Sequence, residues 1–400
     1  MMNQQKPTPM MTETTASIVE REDAHTSGAY PKRPLTVVRG AGALVYDETG
    51  NAYLDATSGQ GVALLGHSHP NVVQAITEQA STIITTPEIF YNDRRAELYE
   101  VLGMVLPPEL DRFFLCNSGT EAMEGALKVA RLLTERTGIV ATMRGFHGRT
   151  LGSLALTWNP KYREQFAEWQ PDVTHVRYDD IDATCEAITE QTSAVVIEAI
   201  QGEGGVYPAS TEYLQAIRAR CDETGALLIV DEIQTGFGRT GDWFAFQHAD
   251  IVPDVVTLAK GLAGGMPMGA VVWRGELGQL PSGTHGSTFG GNPLACASAI
   301  ATIRTLQADE LPQRSAEKGA WLREQLEVLN LDAIREVRGR GLMIGIQLRG
   351  RVTPVLKALQ ERGVLALPAG STVLRLLPPL IISDEQLQQL VDVIGEVVRD

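Results

Sequence analysis

Positive charge is scarce in this chain, and lysine scarcest of all. Its 400 residues carry 34 basic against 49 acidic side chains, a formal net charge of −15. That balance excludes the clustered cationic surface that nonspecific nucleic-acid binding requires. No apolar run is long enough to span a bilayer, and with 44% hydrophobic residues the chain reads as soluble and globular, without a membrane partner. Residues 1–27 are polar and broken by Pro7 and Pro9, so they lack the apolar core of a signal peptide and read as a flexible lead-in. Four cysteines without C-x-x-C spacing (Cys116, Cys185, Cys221 and Cys296) argue against a disulfide framework or a zinc site and fit a reducing cytoplasm. Gly40-Ala41-Gly42 and Gly339-Arg340-Gly341 lack the third glycine of a dinucleotide fingerprint. His67-Ser68-His69-Pro70 has no further ligand cluster nearby, which favours a helix-initiating turn over a metal site.

Only seven lysines are present, at positions 6, 32, 128, 161, 260, 318 and 357, and Lys260 alone follows an apolar run of strand length, Val256-Thr257-Leu258-Ala259. A second such run, Leu227-Leu228-Ile229-Val230, ends on Asp231. In an open α/β sheet ligands bind at the carboxyl ends of parallel strands, so this acid and this amine are expected to face one crevice. Either group buried without a partner costs roughly 3–5 kcal/mol, so each needs one. Pyridoxal phosphate supplies both partners, because its aldehyde condenses with a lysine amine and its ring nitrogen stays protonated beside an aspartate. Lys260 is then the attachment lysine and Asp231 the pyridinium partner. The alternative is a structural ion pair capping two core strands.

Strand candidates at 112–116, 139–143, 194–197, 226–230, 255–258 and 270–273 alternate with helix-period segments at 121–134 and 211–223. This is the signature of βαβ units and a mainly parallel sheet. From about Ile300 the pattern changes to a long helix reaching Leu329, broken near Pro312, then segments 335–348 and 364–377 and a final helix from Asp384. The expected organisation is a lead-in (1–27), a first part of a small domain (28–66), a large domain (67–299) and the α+β remainder of the small domain (300–400).

Three loops after strands carry candidate chemistry. Asn117-Ser118-Gly119-Thr120-Glu121 opens a helix with S-x-x-E capping spacing, and a helix N-terminus offers free N–H groups and partial positive charge to a phosphate. In Gly145-Phe146-His147-Gly148-Arg149-Thr150 the phenylalanine can stack on a planar ring and the arginine can clamp a carboxylate. Gln201-Gly202-Glu203-Gly204-Gly205 puts a glutamate on a glycine loop. Taken singly, each has an ordinary reading as a capped helix, a turn or a solvated charge.

Taken in order, Asn-Ser-Gly-Thr-Glu-Ala at 117–122, Gly-Phe-His-Gly-Arg-Thr at 145–150, Asp-Glu-Ile-Gln-Thr-Gly-Phe-Gly-Arg-Thr-Gly at 231–241 and Ser-Thr-Phe-Gly-Gly-Asn-Pro-Leu-Ala at 287–295 closely resemble the class III pyridoxal-phosphate aminotransferases. Within that family the chain is most similar to the acetylornithine and [LysW]-aminoadipate semialdehyde branches. Pro-Lys-Tyr-Arg-Glu at 160–164 and Ile-Arg-Glu-Val-Arg-Gly at 334–339 favour the second. The resemblance implies a fold-type I homodimer with a mainly parallel, seven-stranded large domain and the cofactor at the subunit interface. It assigns the phosphate to Gly119 and Thr120, with Thr288 reaching it from the other subunit. Phe146 stacks on the ring, Gln234 lies near the ring hydroxyl, and Arg149 and Ser287 contact substrate. Arg375 takes the glutamate α-carboxylate and pairs with Glu203 otherwise. Glutamate and 2-oxoglutarate are the implied amino donor and product, and the implied acceptor in the lysine branch is an aldehyde on a small acidic carrier protein, LysW. For such a carrier, Arg94, Arg95, Arg144 and Arg163 are candidate docking residues near the pocket mouth. Met123 and Ala199 depart from the family's usual asparagine and proline.

Overall fold

The computed structural model describes residues 17–399. Its centre is a seven-stranded sheet. In spatial order the strands are Leu110–Cys116, Gly269–Arg274, Val255–Leu258, Leu227–Asp231, Thr192–Ile197, Gly138–Thr142 and Thr174–Val176. Pairing is parallel except where Gly269–Arg274 runs antiparallel to both of its neighbours. The six expected strands are present. The seventh, Thr174–Val176, is three residues long and half exposed, too short to leave a hydrophobic period.

Thr192–Ile197 and Leu227–Asp231 are buried along their whole length because the sheet is covered on both faces. Val195, Ile197, Leu228 and Val230 enter the main core on one face. Ala194, Val196, Leu227 and Ile229 alternate with them into a second core, where the helix Gly119–Thr134 packs through Ala122, Met123 and Ala126. Met123 is fully buried, and the Thr257 hydroxyl donates to its sulfur at 3.2 Å, so the departure from asparagine is absorbed inside the sheet–helix packing.

The C-terminal region forms a four-stranded sheet in the order Ile334–Arg340, Met343–Leu348, Val373–Leu376, Leu367–Ala369. The N-terminal strands Val37–Ala41, Leu44–Asp47 and Ala52–Asp55 form a meander, and Val364–Leu365 joins its end in parallel. The expected break near Pro312 is real but lies at Asp309-Glu310: Pro293–Ala308 and Leu311–Val328 are separate helices, with Pro312 in the first turn of the second. A division at residue 300 therefore falls inside a continuous helix that packs on the helices Pro70–Ala80 and Asp93–Gly103. Within the expected lead-in, residues 1–16 lie outside the described residues, while Ser17 caps a short helix, Ile18–Asp23, through a complete capping box. Among the described residues no helix is long and apolar enough to cross a membrane.

Candidate active site

The strands Leu227–Asp231 and Val255–Leu258 are parallel neighbours, with Asp231 beside Thr257. Asp231 therefore ends its strand three residues short of Lys260, and both line one cavity of about 440 Å³. That size suits a cofactor with a small substrate. Lys260 begins a short helical turn with φ of 42°, a left-handed conformation costly for a side chain bearing Cβ and typical of functional sites. Among the described residues its amine has no hydrogen-bond or ion-pair partner, and burial pushes it below the ordinary lysine range. An unprotonated amine is what condensation with an aldehyde requires.

Asp231 is 4% exposed and held on both oxygens: the Ile233 N–H donates to Oδ1 at 3.0 Å, and His147 Nδ1 meets Oδ2 at 2.8 Å. The opposite nitrogen, His147 Nε2, is buried without a partner. Sequence reasoning singled out the Phe146–Arg149 loop but gave His147 no role. The available signal was a histidine set between a ring-stacking phenylalanine and a glycine directly after a strand.

Ser118 caps the helix Gly119–Thr134 by accepting from the Glu121 N–H, while Glu121 Oε2 reaches back one residue further than a capping box, to the Asn117 N–H at 2.9 Å. Gly119 and Thr120 line the cavity at this N-terminus. A Cβ on Gly119 would stand 2.8 Å from Ile233 Cδ1, so only glycine lets the turn lie this close to the strand end. The Thr120 hydroxyl accepts from the Arg149 and Thr150 N–H groups at 3.3 and 3.2 Å and bonds Ser153 Oγ at 2.6 Å, which ties the phenylalanine loop to the helix. Phe146 lines the cavity with its edge toward Tyr162, and the exposed Arg149 stacks over Tyr162 at 3.7 Å.

Arg375 arrives from the C-terminal sheet, where it pairs with Gly345 across strands. Its Nη2 lies 2.6 Å from Glu203 Oε1, and its Nη1 donates to Gln234 Oε1 at 3.1 Å. A guanidinium only donates, so Gln234 must present its oxygen to Arg375, leaving its NH₂ group as a donor for the cavity it lines. Residues from three distant segments thus form one chain, Glu203–Arg375–Gln234.

Ser287 and Thr288 do not enter the Lys260 cavity of their own chain. They line a neighbouring cavity of about 320 Å³, where Ser287 Oγ accepts from Asn117 Nδ2 at 3.1 Å, and Thr288 is exposed. One of the four candidate docking arginines is corrected by its surroundings. Arg95 is buried and donates to the Phe90 and Gly291 carbonyls, whereas Arg94 stays partly exposed in an ion pair with Glu97 at 2.6 Å. Arg144 is exposed beside the Tyr207 ring, and the half-buried Arg163 lies over Trp158.

The donor set fits pyridoxal phosphate: a free, half-buried amine, a doubly anchored carboxylate, a helix N-terminus and an aromatic ring around one cavity. Known proteins agree. The Aminotransferase class-III family signature matches residues 26–398. The [LysW]-aminoadipate semialdehyde transaminase of Deinococcus radiodurans is 48% identical over 95% of this chain and 89% of its own length. The acetylornithine aminotransferase of Methanopyrus kandleri is 43% identical over 94% and 97%. The solved ornithine aminotransferase of Toxoplasma gondii, described with partial occupancy of pyridoxal phosphate, superposes with a TM-score of 0.91 at 33% identity, covering 95% of this chain and 92% of that one. The chain belongs to the class III aminotransferases, fold-type I enzymes that depend on pyridoxal phosphate.

Proposed function

We propose that this enzyme moves an amino group from glutamate to the terminal aldehyde of aminoadipate semialdehyde carried on an acidic LysW-type protein. The 48% identity to a transaminase of that name, over nearly the whole chain, carries the substrate reading. The acetylornithine reaction is the second reading, favoured by several relatives near 43% identity. The two aldehydes differ by one methylene, worth about 1–3 kcal/mol in a pocket, so one enzyme can serve both.

Bound pyridoxal phosphate supplies an aldehyde and an electron-accepting ring. Lys260 would hold the group through its Nζ and, as a free amine, would carry the substrate Cα proton. Asp231, oriented by His147 and the Ile233 N–H, keeps a proton on the ring nitrogen. Gly119 and Thr120 would hold the phosphate, Phe146 would lie against the ring, and the free NH₂ of Gln234 would be the donor for the ring oxygen. Arg375 takes the glutamate α-carboxylate when Glu203 releases it, and Glu203 reclaims it for the second substrate, whose tail Arg149 and Ser287 contact.

Ser287 and Thr288 act across a homodimer interface in this reading. Support comes from exposed apolar side chains in two neighbouring segments: Ile84, Ile89, Phe90 and Tyr91 in one and Phe289 in the other. Arg95 ties the two segments together through the Phe90 and Gly291 carbonyls. The small domain is built from 28–66 and the C-terminal part of the chain, a division supported by the pairing of Ala52–Asp55 with Val364–Leu365, and its boundary with the large domain moves from 299/300 to the helix break at Asp309-Glu310. The site of action is cytoplasmic.

The test has two arms. Purified protein should be yellow, bleach with glutamate and, after borohydride reduction, carry the cofactor on Lys260 alone. Its kcat/KM should be higher for carrier-linked aldehyde than for free acetylated substrate. Attachment to another lysine refutes the site, and a preference for the free acetylated substrate moves the assignment to the acetylornithine reaction.

A further inference from the structure

Asp231 is not the only carboxyl group on the cavity floor. Along Thr192–Ile197 and Leu227–Asp231, Ala194 pairs with Leu227 and Val196 with Ile229, all facing the second core. Two residues further, the same alternation brings Glu198 and Asp231 out on one face as side-by-side neighbours, about 5 Å apart at the spacing of adjacent strands. The Tyr178 hydroxyl pins this strand end by donating to the Glu198 and Ala199 carbonyls at 2.9 and 3.1 Å. Glu198 is 6% exposed and lines the Lys260 cavity.

The two neighbours differ in what holds them. Asp231 has His147 and a backbone N–H; Glu198 Oε2 is buried with no partner at all. Among the described residues the nearby cation not already paired is Lys260 itself, because Arg375 is taken by Glu203 and Gln234, and His147 by Asp231, so Glu198 and Lys260 are either an ion pair or two neutral groups. Two like charges this close disfavour each other in a buried site, and the carboxyl with an unpartnered oxygen is the one that keeps its proton.

We propose that Glu198 is a positioning residue that holds its proton in the cofactor-free site, so that the cavity floor carries only the charge of Asp231 and the Lys260 amine is left uncharged and able to react. Burial first, then the Asp231 and Glu203 charges, push the Glu198 carboxyl well above the usual range, while Lys260 and the Gly202 N–H pull it back. An ionised Glu198 would have the opposite effect on the enzyme. It would favour the ammonium form of Lys260, which cannot attack an aldehyde.

This inference rests on the pyridoxal-phosphate reading of Lys260, and the experiment separates the two. Full-length wild type and Glu198→Gln, whose amide mimics a neutral acid in shape and charge, are compared in two ways. Infrared difference spectra near neutral pH should show the carbonyl stretch of a neutral carboxyl in wild type and its loss in the variant. Stripped of cofactor, both proteins should capture added pyridoxal phosphate, Nζ forming a C=N bond with release of one water, along rate–pH profiles that agree within about twofold from about pH 6 to about pH 9. If Glu198 is ionised in wild type, the infrared pair will be identical in that region. The variant's profile will then move toward lower pH by about a unit, with capture near neutral pH about tenfold faster, because removing an anion favours the free amine. Either result overturns the proposal. Failure of both proteins to capture the cofactor defeats the reading of Lys260, and the infrared comparison still decides the state of Glu198.

Discussion

Replacing Glu203 by glutamine should speed one half of the reaction and slow the other. The Glu203–Arg375 contact is 2.6 Å, with the arginine side chain 3% exposed and the glutamate 39% exposed. Breaking a fully buried pair costs about 3–5 kcal/mol. Pairs open to water are worth about 0–1 kcal/mol, and the exposure of Glu203 moves this one toward that limit, to about 1–2 kcal/mol. Glutamate must displace Glu203 before its α-carboxylate reaches Arg375, so removing the charge returns that cost and lowers the KM for glutamate about 5- to 30-fold. Arg375 stays in place through its second tie, to Gln234 at 3.1 Å. The second substrate has no α-carboxylate free for Arg375 and now meets an uncompensated cation, so its half-reaction should slow by a similar factor. Rapid-mixing measurements of the two half-reactions, each followed by cofactor absorbance, give both numbers. Equal losses in both, or a higher KM for glutamate, would refute the idea that this ion pair is the element exchanged between substrates.

Further outcomes follow from the same geometry. Lys260→Met should raise the melting temperature of the cofactor-free protein. The native amine titrates below its ordinary value of 10.5, so burying its charged form costs stability at lower pH, and that cost disappears as pH rises through the native value toward 10.5. The stabilisation seen in thermal melts should therefore be largest at low pH and shrink with rising pH; a gain that grew with pH would contradict the burial argument. Asp231→Ala should slow turnover at least about a hundredfold, about 2.7 kcal/mol in the barrier, while cofactor affinity falls far less because Gly119 and Thr120 remain; near-normal turnover would exclude the ring-nitrogen role. Gly119→Ala should weaken pyridoxal-phosphate binding about tenfold, since its methyl would meet the Ile233 side chain. Adding Ile233→Ala should restore most of the loss in a binding titration, and no restoration would mean that the glycine serves something other than this close approach.

What the chain announces by itself is the set of strand ends. Leu227–Val230 is apolar throughout and Val256–Ala259 is apolar but for Thr257 because both faces of the sheet are covered, and an ionisable residue that ends such a run lies at a rim where a ligand can pair with it. Asp231 and Lys260 are legible on that ground, and Glu198 obeys the same rule after Ala194–Ile197. It escaped notice because its importance depends on a neighbour one strand away. His147 escaped for a related reason, since Nδ1 meets Asp231 across 84 residues of sequence. Only the tertiary structure decided which of two adjacent carboxyl groups has partners, that Arg375 meets both Glu203 and Gln234, that Ser287 and Thr288 lie outside their own chain's cavity, and that Arg95 is buried in backbone contacts. Local pattern reports burial and period, properties of a residue and its near neighbours. Partner geometry is a property of strand order and register, and these arise from how distant segments pack.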